Sequence, residues 1–255
     1  MKSIVIVGGS SGIGLATVQN LLGKECEITN ISRTPCAASD VVNITANVTD
    51  KKELYAAINA VDRIDALIYC AGASLAAPIE YVKTEDIEYV FDVNMIGAIE
   101  CIKAAMPKLH KSDSPKIVLL SSAGGVAPIA FDGFYSAAKA GLFALAVAVR
   151  LECPKIKCTA VAVPATQTEF SFERKIYTDC GDYNAQLKSA SDSLIKMEQT
   201  GYSAEYVGKR VAAILQKRNP PPKVTIGTKN KLMLFAYNIL PWRLKLYALR
   251  KIYDL

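Results

Sequence analysis

Ser3-Ile-Val-Ile-Val7, Gly8-Gly-Ser10-Ser11-Gly12-Ile13-Gly14 and Leu15-Ala-Thr-Val-Gln-Asn-Leu-Leu22 open the chain as an apolar run, a glycine-rich turn and a helical stretch. The run lacks polar alternation, the pattern of a strand buried on both faces. Glycines at 8, 12 and 14 permit a sharp turn and leave no Cβ between the backbone and a ligand. The following helix offers unpaired N–H groups and the positive end of its dipole to a pyrophosphate. Glycines alone would equally suit a plain turn. Strand, Gly-x-x-x-Gly-x-Gly and helix in that order predict a dinucleotide site.

A second stretch, Ser122 to Lys139, supplies chemistry. The apolar run Lys116-Ile-Val-Leu-Leu-Ser121 leads into it, and Ala140-Gly-Leu-Phe-Ala-Leu-Ala-Val-Ala-Val149 leads out. Tyr135 and Lys139 are four residues apart, so on a helix they share a face. A nearby ammonium favours the phenolate and lowers the tyrosine pKa from about 10 towards neutrality. Such a tyrosine exchanges a proton with an alcohol oxygen, and Ser122 can hydrogen-bond that oxygen. A Tyr-x-x-x-Lys pair also arises by accident on helix surfaces; the glycine turn is what gives it weight.

Together, Gly8-x-x-x-Gly12-x-Gly14, Asn94, Ser122 and Tyr135-x-x-x-Lys139 resemble the motif set of the short-chain dehydrogenase/reductase family. The interval from Ser122 to Tyr135 is the family's usual one, and the resemblance covers nearly the whole chain. It implies a Rossmann-type doubly wound parallel sheet of about seven strands, flanked by helices on both faces. It also implies hydride transfer between a nicotinamide cofactor and a carbonyl or alcohol. By the same resemblance Asn94 holds a water that connects Lys139 to solvent. The bland alternative for Asn94 is a solvent-facing polar residue in a helix, where asparagine is a poor interior choice.

With 255 residues and 51 % hydrophobic content, the chain fits one domain, 1–255, with ample core. A net charge of +6, spread along the chain except at its C-terminus, gives no argument for nucleic acid. Seven cysteines without a Cys-x-x-Cys, and the single histidine His110, speak against a metal site. A reducing, cytoplasmic setting without a signal peptide is expected.

Glu27-Ile-Thr-Asn-Ile31 reads as the second strand. An NAD site places a carboxylate near its end for the ribose 2′-OH. This chain has Asn30, Ile31 and then Arg33, and a guanidinium suits a 2′-phosphate. NADP(H) is therefore the expected cofactor, with Asp40 too distant to serve. The crossover from Thr34 to Asp40 looks trimmed, and Val41 to Val48 reads as the third strand. Asn47-Val48 stands where the family has an aspartate-valine pair near the adenine. Asp50 is the expected cap of the next helix, with Glu53 reciprocating. Tyr69-Cys70-Ala71-Gly72 keeps the Ala71-Gly72 pair that passes the cofactor but lacks the family's preceding asparagine. Thr84 to His110 reads as one helix capped by Thr84. After the strand at 157–163, Pro164 is followed by Thr166 and Thr168, either of which can bond the nicotinamide carboxamide.

Residues 166–200 are expected to form a substrate lid, although an ordinary helical hairpin has the same composition. The apolar helix after Lys139 is expected to meet a partner subunit in a homodimer or homotetramer. In the basic amphipathic tail, 229–255, Trp242, Leu246, Leu249 and Tyr253 share a helical face. Packing on the protein is favoured there over a membrane surface. The expected substrate is a hydrophobic carbonyl or alcohol, steroid-like or acyl-like. The rival readings are a non-catalytic NADP(H) sensor and a membrane-peripheral interaction protein.

Overall fold

Seven runs form parallel strands: β1 (Lys2–Val7), β2 (Cys26–Ser32), β3 (Val41–Thr45), β4 (Ala66–Tyr69), β5 (Lys116–Leu120), β6 (Lys157–Ala162) and β7 (Lys223–Thr225). The computed structural model describes residues 1–255. Strand order is β7-β6-β5-β4-β1-β2-β3. The chain thus winds outwards from β1 in one direction and from β4 in the other. Between β1 and β4 lies the switch point, where a crevice opens beyond the carboxyl ends. Val7 pairs with both Ile31 and Tyr69, so the glycine turn, Ser32 and Cys70 emerge side by side.

Helices cover both faces because the central strands are apolar on both. On one face, α2 (Lys51–Asn59), α4 (Gly97–Leu109) and α5 (Gly133–Glu152) bury Leu54, Ile58, Ala105, Leu142 and Val149. On the other, α1 (Gly12–Leu21) and α8 (Ala204–Gln216) bury Val18, Leu21, Val207, Val211 and Ile214. Each fully buried aliphatic side chain stabilises by about 1.5–3 kcal/mol in transfer terms. Helix α5 is long and apolar enough to cross a membrane, yet one side lies against the sheet.

Three local expectations are corrected. The third strand ends at Thr45 rather than Val48, because Asn47 Oδ1 accepts from Thr49 N and turns the chain out of the ladder. Asp50 does cap α2, accepting from Lys52 N and Glu53 N, but Glu53 reaches back to Asn47 N instead. The helix from Thr84 is also not uniform. Thr84 is already helical in α3 (Thr84–Phe91), with extended Lys83 in the cap position.

Between α3 and α4, residues Asp92–Ile96 widen into a π turn closed by Gly97 N–H to Asp92 O. The Asn94 amide takes Val90 O, and the Tyr69 hydroxyl takes Val93 O. Side-chain donors thus occupy carbonyls at this point of the ladder, and the backbone accommodates an extra residue. The trimmed crossover between β2 and β3 has no helix; Asn43 bonds both Cys36 N and Cys36 O to hold it.

The glycine turn is set by close approach. Gly8 has φ +83°, and a Cβ there would lie 2.8 Å from Ala71 N. A Cβ on Gly14 would overlap the Gly8 carbonyl oxygen, a backbone atom that cannot swing away. Gly14→Ala should therefore cost about 1–3 kcal/mol and lower Tm by roughly 2–4 °C per kcal/mol. Thermal unfolding of the variant checks this; an unchanged Tm would mean the turn is free to move.

Candidate active site

One cavity of about 1020 Å³ occupies the switch point. The glycine turn contributes Gly8, Ser10, Ser11, Gly12, Ile13 and Gly14 to its wall. Arg33 lines it from the end of β2, Asn47 and Val48 from beyond β3, and Ala71 and Gly72 from beyond β4. Ser122, Tyr135 and Lys139 line it opposite, and Pro164, Thr166 and Thr168 close it beyond β6. Every residue predicted for the site is in this wall except Asn94. Helix α1 begins at Gly12 with no acid in its first turn and no side-chain cap from Ser11. Its N-terminal N–H groups are therefore left for an anion.

Asn94 stands directly behind the wall and is fully buried, which rules out the solvent-facing reading. Its Nδ2 donates to Ala73 O at 2.7 Å, and its Oδ1 accepts from Ala73 N at 3.3 Å. A Cβ on Gly72 would meet Asn94 Oδ1 at 3.3 Å and Lys139 Nζ at 3.5 Å, so the three groups adjoin. The lost asparagine before Ala71 is replaced by Cys70. Enclosure pushes its thiol up to about 12, with Lys139 pulling it down.

The α5 turn after Asp132 presents Tyr135 and Lys139 on one face, as their spacing requires. Lys139 Nζ is 5.6 Å from the Tyr135 ring centre and donates to Leu120 O at 2.9 Å. Ser122 Oγ accepts from Gly124 N at 3.0 Å, which leaves its own hydrogen to donate. The expected lowering of the tyrosine pKa by Lys139 is corrected. Burial dominates and raises the Tyr135 hydroxyl above its ordinary value, with the hydrogen bond to Ser122 pulling the other way. Burial likewise lowers Lys139 to about 8. An enclosed cation and an enclosed phenol are each pushed towards neutrality.

Beyond Tyr135 lies a group of side chains with no sequence signature. Arg174 is buried and grips Glu198, its Nη2 on Oε1 at 2.7 Å and its Nη1 on Oε2 at 3.3 Å. Its Nε donates to Ser74 Oγ at 2.8 Å and lies 3.8 Å from Asp132 Oδ2, and Ser74 donates to that carboxylate at 2.5 Å. Burial raises Asp132 to about 6. This network fastens the segment around α6 (Phe170–Glu173) and α7 (Asn184–Gln199) beside the face that carries Tyr135. Lys175 and Tyr177 add bonds to Asp86. Phe170, Met197, Leu249, Ile252 and Tyr253 make this side of the cavity apolar.

Thr166 and Thr168 differ. Thr166 is buried and its hydroxyl donates to Pro164 O at 2.7 Å. Thr168 faces the cavity, with its methyl group against Gly12.

A turn shaped for a dinucleotide and a serine–tyrosine–lysine set in one cavity define an oxidoreductase of the doubly wound class. The family model described as short chain dehydrogenase matches residues 2–176. The chain belongs to that family. It is similar to the 3-ketodihydrosphingosine reductase of Bacteroides thetaiotaomicron, at 29 % identity over 98 % of this chain and 97 % of that protein. It is also similar to the 3-oxoacyl-(acyl-carrier-protein) reductase MabA of Mycobacterium tuberculosis, at 24 % identity over 81 % and 83 %. Among solved structures, a short-chain dehydrogenase from Streptomyces avermitilis superposes with TM-score 0.82 at 20 % identity, covering 93 % and 92 % of the chains.

Because its folded pKa is lowered from 10.5 to about 8, Lys139 favours the folded state most at high pH. That contribution is present above about 10.5 and is lost as pH falls through about 8. The stability of the wild type relative to Lys139→Met should therefore rise steadily between pH 8 and 10.5. Calorimetric Tm values at stepped pH measure the gap, and a gap constant with pH would contradict it. Asp132 does not contribute to this window, since its raised pKa acts below about 6.

Proposed function

We propose that the protein is an NADP(H)-dependent reductase or dehydrogenase acting on a carbonyl or secondary alcohol borne by a long apolar substrate. The observation that carries this reading is the convergence of Ser122, Tyr135 and Lys139 on the cavity that the glycine turn opens into. The site fits a dinucleotide: without a Cβ, Gly8 and Gly14 let the turn close tightly against Ala71 N and the Gly8 carbonyl, and the start of α1 is free for a pyrophosphate. When bound, the nicotinamide supplies or accepts the hydride.

The protein's part is placement and proton transfer. Ser122, its oxygen held by Gly124 N–H, turns its hydrogen from Tyr135 to the substrate oxygen and fixes its position. Tyr135, held neutral by burial, is the proton donor in the reductive direction. Lys139 gives the resulting phenolate a nearby cation and would also hold the nicotinamide ribose. Asn94 holds the Ala73 backbone, and with it the Gly72 edge of the wall, while supporting the water link from Lys139 to solvent. Thr168 is favoured over Thr166 as the partner for the carboxamide, because Thr166 is buried and its hydroxyl hydrogen is spent on Pro164 O.

Arg33 supports the choice of NADP(H). It lies exposed at the cavity's edge, while Asn30 is buried and spends its amide on Gly9 N, Ser32 and Asn43. No carboxylate takes the place next to the ribose. The apolar wall around Phe170 and Ile252, and the 3-ketodihydrosphingosine and 3-oxoacyl substrates in the relatives' names, support a lipid-like substrate. The outward stripe Ala137, Ala140, Ala144, Val147 and Leu151 on α5 supports a homodimer through that helix. Seven free thiols suit a reducing cytoplasm.

Oxidation of NADPH, followed by its absorbance against long-chain β-keto substrates, ketosteroids and small carbonyls, tests the reading. Tyr135→Phe should lower kcat by roughly 10²–10⁴-fold while leaving NADPH binding intact. Cofactor binding without turnover on any substrate would favour the sensor instead. Arg33→Ala should raise the KM for NADPH by about tenfold or more, since charge-assisted bonds are worth roughly 1.5–3 kcal/mol, and leave that for NADH unchanged. A wild-type preference for NADH would overturn the assignment of Arg33.

A further inference from the structure

The tail is not one amphipathic helix but two, α9 (Thr228–Ile239) and α10 (Trp242–Ile252), separated at Leu240-Pro241. Helix α9 is docked by one face only. Asn230, Leu234 and Tyr237 are buried, and Asn230 Nδ2 bonds Ile226 O at the end of β7. The opposite face carries Leu232, Phe235 and Ile239, positions one helical stripe apart. They are 64–69 % exposed, and Trp242 at the start of α10 is 70 % exposed. An outer face this apolar inverts the usual arrangement for a surface helix. No residue of α10 is fully buried, and Leu244, Leu246 and Tyr247 add to the uncovered surface.

Charge selects what covers it. Residues 228–255 hold six of the chain's thirty Lys and Arg residues but one of its twenty-four acids, Asp254. This short segment therefore carries five of the six excess positive charges. Lys229 and Lys231 flank the apolar stripe of α9, while Arg243, Lys245, Arg250 and Lys251 punctuate α10. A second copy docked by a twofold axis would set these like charges against each other. An apolar stripe edged with lysine and arginine and carrying exposed Trp242 and Tyr247 matches the interface of an anionic bilayer.

The cavity opens on the same side. Met233 and Ile252 are each nearly half exposed and also line the cavity wall, and buried Tyr253 continues that wall inwards. The sequence reading that favoured packing on the protein holds for one face of α9 and for the C-terminal end of α10.

We infer that the outer face of α9 and α10 docks on an anionic membrane surface, placing the mouth of the cavity at the lipid interface. This docking is independent of the substrate and of turnover.

Flotation of the full-length protein tests it, using vesicles of phosphatidylcholine alone and of phosphatidylcholine with phosphatidylglycerol. The protein should float with the anionic vesicles at low salt, at least tenfold less with the zwitterionic ones, and be released by raised salt. Phe235→Gln/Ile239→Gln/Trp242→Gln should lose flotation at least tenfold while keeping the wild-type Tm, because these side chains are exposed. Lys231→Gln/Arg243→Gln/Arg250→Gln should abolish the preference for phosphatidylglycerol. Failure to float at low salt, or equal flotation with both vesicle types, would overturn the proposal. So would concentration-dependent dimerisation that the Phe235 triple variant abolishes, which would assign the face to a second copy. Turnover of a soluble short-chain substrate by the same variants should be unchanged, so a failure here is separable from a failure of the proposed chemistry.

Discussion

No side chain separates Gly14 from the carbonyl of Gly8, and the rest of the site depends on that contact. It folds the chain from β1 into α1 in a minimum of space. It also sets the helix N-terminus directly over the carboxyl ends of the strands. Asn30 reinforces the turn from the neighbouring strand by accepting Gly9 N–H at 2.9 Å. Because Val7 pairs with Ile31 on one side and Tyr69 on the other, the turn fixes where Arg33 and the Ala71-Gly72 edge lie. The cavity is thus framed by backbone, which is stiffer than any arrangement of side chains.

Within that frame the structure accepts local costs where the proposed site lies. The π turn at Asp92–Ile96 interrupts an otherwise regular helix in order to bury the Asn94 amide behind Gly72. Lys139 is enclosed with one carbonyl partner and no carboxylate, and Tyr135 is enclosed beside it. Places where local preference and global fold disagree are where function is expected, and here they coincide with the predicted set.

Much of this was legible because it is local. The glycine spacing, the four-residue step from Tyr135 to Lys139 and the apolar strands each encode their geometry over a few residues. Every predicted site residue but Asn94 lines the cavity, and Asn94 adjoins it. What escaped the sequence is non-local. Arg174 sits between Glu173 and Lys175 like any surface charge, and nothing marks its partners at 74, 132 and 198. The direction of the Tyr135 shift escaped for the same reason: spacing reveals the cation nearby but not the burial that sets the shift. Composition gave the tail its amphipathic character. The break at Pro241 and the outward aim of Phe235 and Ile239 depend on the surface it lies against.

The network around Arg174 has a bearing on how the molecule assembles. It ties residue 74 to residue 198, so it cannot form until most of the chain is in place. Contacts of such long sequence separation carry a large loop-closure cost and are made after the local ones. The turn, α5 and their hydroxyl and ammonium groups can be in position before then, held by neighbouring strands. The segment bearing Phe170 and Met197 is thus held over the cavity by bonds drawn from distant parts of the chain rather than by its own local structure.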